Sequence, residues 1–96
     1  MWVIVAYDVN TEDRAGQRRL RRVAKICKNH GQRVQKSVFE CSVNETQYEQ
    51  MKRKLLREID KAVDNLRIYR LIEPRENFVE AFGVDSFINF EEPLIV

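Results

Sequence analysis

The sequence is poor in the residues from which compact metal, disulfide and nucleophilic sites are built. Its two cysteines, Cys27 and Cys41, are fourteen positions apart, and His30 is its only histidine. This spacing favours neither a zinc site nor a disulfide framework, so we expect both cysteines to be buried as small hydrophobic residues. Ser37 offers a hydroxyl, but one imidazole and no evident oxyanion loop give a hydrolytic triad little support.

A long hydrophobic run is also missing. The longest apolar stretch covers residues 2–7, far short of the roughly 20 residues that a membrane helix needs. No basic leader of the kind that begins a signal peptide precedes it. With 96 residues, 44% apolar and 33% charged, the chain suits one compact domain spanning residues 1–96. We therefore predict a cytoplasmic protein that does not enter a membrane.

Acidic residues are absent from residues 14–39. Nine of the seventeen Lys and Arg residues fall in this stretch. The remaining eight are outnumbered by fifteen acidic residues, a balance of −7, so the net charge of +2 conceals a strong asymmetry. A one-sided basic surface is typical of nucleic-acid binding. The alternative is a solvated helix face whose charges pair with acids elsewhere in the chain.

Residues 2–8 are nearly all apolar, and β-branched or aromatic side chains dominate, which predicts a central strand covered on both faces. A helix follows, capped by Asn10 or Thr11 and carrying Glu12 and Asp13 in its first turn. Apolar residues recur on its inner side at spacings of three and four, namely Leu20, Val23, Ala24 and Cys27. Basic residues recur in the same way on its outer side, namely Arg18, Arg21, Arg22 and Lys25.

The outer side of this helix carries like charges four residues apart, Arg18 with Arg22 and Arg21 with Lys25. Each such pair costs a few tenths of a kcal/mol. A helix built only for solubility would mix the two signs, so we favour contact with phosphate. Contacts of that kind depend strongly on salt and are largely blind to base sequence.

The rest of the chain continues the pattern. We expect Gly31 to end the first helix in the left-handed conformation, and residues 33–43 to be extended, with a bulge or a division into two strands near residue 37. Asn44 and Gln47 resemble a capping box. It opens a second helix that ends at Asp64–Asn65 and buries one stripe, namely Tyr48, Met51, Leu55, Ile59 and Ala62.

Strands are predicted at residues 66–72 and 78–84, separated by Pro74. The order β-α-β-β-α-β, followed by an extra β segment, indicates an α+β, ferredoxin-like fold with both helices on one face of the sheet. Two helices cannot cover both faces, and residues 85–96 form an apolar tail. We therefore expect a homodimer, with the tail at its interface.

Asp8 ends the first strand, and its position suits two roles: a metal ligand, or a cap of the next helix. A lone carboxylate is a poor magnesium site. A twofold axis near the ends of the two first strands would let Asp8 of each subunit share one Mg²⁺. Tyr7 and Phe39 flank the basic stretch; each ring could stack on a base or pack in the core.

The strand ending in Tyr7-Asp8, the arginine-rich helix before Gly31, and the sequence Arg33-Val-Gln-Lys-Ser-Val-Phe39 occur in this order. Over residues 1–84 the chain therefore resembles the family of small CRISPR-associated proteins that act as the second subunit of spacer acquisition. The resemblance implies a ferredoxin-like homodimer in which the C-terminal strand of each subunit joins the partner's sheet. It also implies a metal, Mg²⁺, shared by the two Asp8 side chains.

The same resemblance assigns functional roles to single residues. Asp8 matches the metal-binding and catalytic aspartate, and Tyr7 is its neighbour. Arg33 and Phe39 open and close the second motif. For the basic positions of the helix, the candidates that would contact nucleic acid are Arg18, Arg19 and Arg22.

Two mechanisms follow from the resemblance. In one, the protein is a magnesium-dependent endonuclease that cleaves RNA or DNA. In the other, the dimer is a scaffold that bridges CRISPR-associated integrase subunits and supports DNA without chemistry of its own. We favour the scaffold as the cellular role. A third possibility from a different class is a ferredoxin-like module that regulates a protein partner and binds no nucleic acid.

Overall fold

The computed structural model describes residues 1–72, 74–85 and 87–88. The elements are β1 (Trp2–Asp8), α1 (Arg14–Lys28), β2 (Gly31–Gln35), β3 (Val38–Ser42), α2 (Glu45–Glu58), β4 (Asn65–Leu71) and a 3₁₀ turn (Arg75–Asn77). The strands form one antiparallel sheet in the order β2-β3-β1-β4. The predicted α+β, ferredoxin-like arrangement is confirmed, with β1 in the interior of the sheet.

The core lies between the sheet and the two helices. One side of β1 is buried there, with Val3, Val5 and Tyr7. Helix α1 adds Val23 and Cys27, and α2 adds Met51 and Leu55. The alternate residues of β1 are only half-buried, because they point to the opposite side, which we call the open face of the sheet.

The two cysteines are free and fully buried in this core, as predicted. They are neighbours, with the Cys41 thiol 4.0 Å from the carbonyl oxygen of Cys27. Burial raises the pKa of each thiol to about 12. Since the thiolate is the reactive form, both residues act as packing groups.

The predicted ends of α1 were wrong at both termini. The N-cap is Asp13, whose side chain accepts a hydrogen bond from the Gly16 amide at 2.7 Å. Asn10 instead accepts the Glu12 amide within the preceding loop, so the helix starts later and has no acid in its first turn. Gly31 is not left-handed; it begins β2, where a side chain would collide with the backbone of β3.

The break predicted in residues 33–43 is a division into two strands. Residues Lys36 and Ser37 form the turn between β2 and β3, and the register shifts between Arg33 and Gln35. Phe39, two residues after the turn, then directs its side chain into the core. The sequence was compatible with either a bulge or a division into two strands. The structure contains the division, with a shift of register close to the turn.

The capping box that opens α2 is confirmed, with Asn44 and Gln47 bonded reciprocally at 2.9 and 2.8 Å. The helix ends at Glu58, earlier than predicted. Asp60 starts a separate turn, in which its side chain accepts the Ala62 amide. Neither α1 nor α2, nor any other helix in the described ranges, is long and apolar enough to cross a membrane.

The strand predicted at residues 78–84 does not form within the chain. After β4, the chain instead turns over the open face and is held there by side chains. Phe87 contacts Trp2, with ring centres 6.0 Å apart. The Gln32 side chain donates to the Ile88 carbonyl at 2.6 Å and accepts its amide at 2.8 Å. Most of the predicted apolar tail, residues 89–96, lies outside the described residues.

Candidate metal site and nucleic-acid interface

Asp8 is the last residue of β1 and is exposed. Its partner across the sheet is Asn65, the first residue of β4. On the other side, the Tyr7 amide donates to the Ser37 carbonyl at 3.0 Å, which places the Lys36–Ser37 turn beside the end of β1. The backbone that carries the carboxylate is therefore fixed on both sides, by β4 and by the Lys36–Ser37 turn.

The described residues of one chain do not form a complete metal site. Among the described residues, no three His, Cys, Asp or Glu side chains are grouped so that they could hold a metal ion. Magnesium is commonly bound by one or two carboxylates together with water and substrate phosphates. The exposed oxygens of Asp8 have the right chemistry for this ion, and the donor set fits if a second carboxylate comes from another copy of the chain.

The only histidine is far from Asp8. His30 immediately precedes Gly31, which pairs through Cys41 with Val3 at the opposite end of β1. Burial and the nearby Lys54 lower the pKa of His30. Within one chain this imidazole cannot serve as a general base beside Asp8.

The outer surface of α1 carries a continuous set of exposed cations, which we call the basic face: Arg14, Arg18, Arg21, Arg22, Lys25 and Lys28. Only Arg22 in this set has an ion-pair partner among the described residues. Its guanidinium is 3.6 Å from Glu58 while 62% of the side chain remains exposed, so the pair is weak. The acids elsewhere in the described chain do not neutralise this face.

Arg19 does not belong to the basic face. Its Nε donates to Asp64 Oδ2 at 2.8 Å, and its side chain is only 17% exposed. The hydrogen bond from Arg19 lowers the pKa of Asp64, and the same bond raises that of Arg19. The sequence grouped Arg19 with the phosphate-binding candidates; the structure commits its guanidinium to a partner 45 positions away.

Tyr7, Phe39 and Arg33 lie together. The two rings are stacked with centres 6.3 Å apart, and the Arg33 guanidinium carbon is 5.2 Å from the Phe39 ring centre. Tyr7 is 5% and Phe39 1% exposed, so both rings belong to the core and neither offers a face to a base. Of the three, only Arg33 is exposed.

The Tyr7 hydroxyl is buried and has no hydrogen-bond partner of regular geometry among the described residues. Burial raises the pKa of Tyr7, and interaction with the nearby Arg33 side chain offsets part of the shift. A phenol in this state stays protonated at neutral pH. Its part in the structure is to fill the space between β1 and the Phe39 ring.

The model of the family described as CRISPR associated protein Cas2 matches residues 1–77. The chain belongs to the Cas2 family. The match includes β1, both helices, the basic face and the Tyr7–Phe39–Arg33 group. Membership of this family supports a role in CRISPR adaptation, as the resemblance predicted.

Curated relatives match the chain from end to end. A "CRISPR-associated endoribonuclease Cas2 1" from Moorella thermoacetica is 55% identical over 96 residues and covers 100% of both chains. A "CRISPR-associated endonuclease Cas2" from Halalkalibacterium halodurans is 50% identical and covers 99% of each. A crystal structure of Streptococcus pyogenes Cas2 superposes with a TM-score of 0.77 and 49% identity, covering 86% of this chain and 100% of that one. The Cas2 family thus includes proteins named as nucleases.

Sequence analysis assigned no functional or stabilising role to three polar residues that form ion pairs in the structure. Asp64 was assigned only to a helix end, and Glu40 and Arg75 received no role. Each acts through a partner far away in the chain: Asp64 with Arg19, and Glu40 with Arg75. The only available signal was the fold itself, because the observed pairing of Asp8 with Asn65 brings residue 64 beside the end of the first strand.

Proposed function

We propose that two copies of this Cas2-family chain associate about a twofold axis and hold one Mg²⁺ between their Asp8 carboxylates. The supporting observation is that Asp8 is exposed at the end of an interior strand. Within the described residues, no group of three His, Cys, Asp or Glu side chains could hold a metal ion without a second copy. The bound ion would activate water and offset negative charge on a phosphodiester. Asp8 would hold the ion, and cleavage of RNA or DNA would follow.

Nucleic acid would be held through its backbone by the basic face. Five of its six cations have no ion pair within the described chain, so they are available to phosphate. Arg18 and Arg22 keep the role that the sequence proposed for them, and Arg33 is exposed near the same helix. Contacts of this kind fix the position of a duplex and carry no sequence information.

A second candidate is the scaffold, in which the dimer bridges integrase subunits on DNA without cleaving it. It is favoured by the position of His30 at the far end of the sheet, which leaves Asp8 without an imidazole base from its own chain. In this case Asp8→Asn should retain DNA binding and bridging. We place this scaffold role first for the cell, with the nuclease as an activity of the same dimer.

The decisive experiment compares wild type, Asp8→Asn and the control Glu12→Gln, an exposed acid in the following loop. Each is incubated with labelled RNA and duplex DNA, with Mg²⁺ or with a chelator. We expect Mg²⁺-dependent cleavage by wild type and the control, and background cleavage by Asp8→Asn. Equal cleavage by all three would reject Asp8 as the metal site.

The shared nature of the site can be tested separately. Wild type and Asp8→Asn are given different tags, mixed and purified as heterodimers. One ion held by two carboxylates predicts that the heterodimer binds metal much more weakly than wild type. A heterodimer with half the wild-type sites at full affinity would show that each chain binds alone. A stable monomer in sedimentation would reject both candidates, and a dimer with no salt-sensitive affinity for nucleic acid would favour the regulatory module.

A further inference from the structure

Asp64 joins two loops at the end of the sheet that carries Asp8. Its side chain is fully buried. One carboxylate oxygen accepts the Asn10 amide at 3.0 Å, and the other accepts the Asp60 amide at 2.8 Å. The loop that leaves β1 and the turn that enters β4 are therefore fixed to the same carboxylate.

Arg19 completes this arrangement from α1. Its Nε and Nη2 contact the two oxygens of Asp64 at 2.8 and 3.3 Å, and Nη2 also lies 3.4 Å from the Asn10 carbonyl oxygen. Asn10 is thus held at its amide by Asp64 and at its carbonyl by Arg19. A guanidinium can do this because its donors point in fixed directions within one plane.

We call the Asp64–Arg19 pair that holds Asn10 the clamp. Asp8 lies between this clamp and the rest of the sheet. It is two residues before Asn10 and is paired with Asn65, the neighbour of Asp64. On its other side, Tyr7 is bonded to Ser37. We propose that Asp64 and Arg19 are positioning residues that fix the backbone on which the Asp8 carboxylate stands, and so the direction in which it meets a metal ion. This inference rests on the metal site proposed above.

The proposal assigns different roles to Arg19 and its neighbour Arg18. Arg18 is exposed and has no ion pair in the described residues, whereas the Arg19 side chain is occupied by Asp64. The two residues carry the same charge on the same helix. Exchange of either residue for glutamine removes one positive charge from α1, and only the exchange of Arg19 removes a contact to Asn10.

The test measures Mn²⁺ binding by titration calorimetry for Arg19→Gln, Asp64→Asn and the control Arg18→Gln, at concentrations where sedimentation shows a dimer. We expect Arg19→Gln and Asp64→Asn to weaken metal binding about tenfold, the lower end of the loss for outer-shell partners. Arg18→Gln should keep the wild-type metal affinity. Amide hydrogen exchange should accelerate at Asn10 in the first two variants only.

Cleavage provides a further readout that general loss of stability would not reproduce. A displaced carboxylate should shift the Mg²⁺ dependence of Arg19→Gln to higher concentration with the same plateau, whereas Asp8→Asn should not recover at any concentration. If Asp64→Asn fails to fold, Arg19→Lys supplies the milder variant. Its single ammonium keeps the charge, so the fold should persist while metal binding still weakens.

Two failures can be distinguished. Wild-type affinity in Arg19→Gln and Arg19→Lys, with faster exchange at Asn10, would overturn the positioning role and leave the metal site intact. Absence of Asp8-dependent metal binding in the wild-type dimer would overturn the proposed site, and this inference with it.

Discussion

Arg75 and Glu40 form a two-point ion pair on the open face of the sheet. Arg75 Nε donates to one carboxylate oxygen of Glu40, and Nη2 lies 3.1 Å from the other. The Phe87 ring covers the guanidinium, with its centre 3.4 Å from the guanidinium carbon. Glu40 is the buried charged residue of this sheet, at 5% exposure, and this pair is what compensates its charge.

Removing the arginine should therefore be costly. Arg75→Ala leaves a buried carboxylate without its partner, and we expect a loss of about 3 kcal/mol in the free energy of unfolding. For a chain of this size, that corresponds to a fall in Tm of at least about 10 °C. Urea and thermal unfolding of the full chain measure the effect.

Arg57→Ala is the matched control, because Arg57 is exposed on α2 and should change stability by no more than about 0.5 kcal/mol. A double variant with methionine at both Glu40 and Arg75 should be more stable than Arg75→Ala, since no buried charge remains. If Arg75→Ala and the control are equally stable, the pair contributes nothing to the fold.

Tyr7→Phe tests whether the Tyr7 hydroxyl contributes to the stability of the core or to nucleic-acid binding. The change removes a buried hydroxyl that has no regular partner in the described residues, so we expect stability within about 1 kcal/mol of wild type. Nucleic-acid affinity should be unchanged, because the ring is buried. A tenfold weaker complex with a normal unfolding curve would show that the Tyr7 hydroxyl takes part in binding nucleic acid.

Arg18→Ala should reduce the salt dependence of nucleic-acid binding. Loss of one phosphate contact lowers the slope of log Kobs against log salt by about 0.9 for duplex DNA. Arg67→Ala is the control, because Arg67 lies on β4 opposite Ala6, on the open face, and is bonded to Tyr69. The same slope change in both variants would mean that the basic face has no special role.

Acid should remove the contribution of Asp64 to stability. Its pKa in the folded protein lies below the ordinary value of 3.8, chiefly because of the bond from Arg19. A lowered pKa stabilises the folded state above pH 4, and this contribution is lost as the pH falls through the folded pKa. The difference in unfolding free energy between wild type and Asp64→Asn should be largest near neutral pH and shrink below pH 4.

Glu12→Gln serves as the control for this series, because its side chain is exposed. Its stability should follow that of wild type at every pH. A gap between wild type and Asp64→Asn that is constant from pH 7 to pH 2 would mean that the charge of Asp64 has no part in the clamp.

The elements could be predicted because their signals are local. The apolar run of β1, the capping box of Asn44 and Gln47, and the stripe of α2 each depend on residues within a few positions of one another. The position of Asp8 at the end of β1 followed from the same pattern. Element ends were less certain, because Asn10 and Asp60 form local side-chain bonds that compete with the helix.

The different roles of the arginines in α1 could not be predicted from the sequence. Arg18 and Arg19 are adjacent and chemically identical, and only the buried Asp64 distinguishes them. Gly31 presented a similar difficulty: a glycine after a helix usually marks a left-handed residue, but here it allows close approach to β3. In both cases the cause is a contact between distant parts of the chain, which periodicity does not report.

The place of β1 in the sheet also constrains how the protein is made. Its two neighbours, β3 and β4, are synthesised after it, and β4 begins at Asn65. Asp64, which secures the loop behind Asp8, leaves the ribosome just ahead of that strand. In a nascent chain that ends after α2, β1 can pair with β3, but its other edge lacks its partner β4. Asp8 is thus translated well before Asn65, its partner on the strand that completes this side of the sheet.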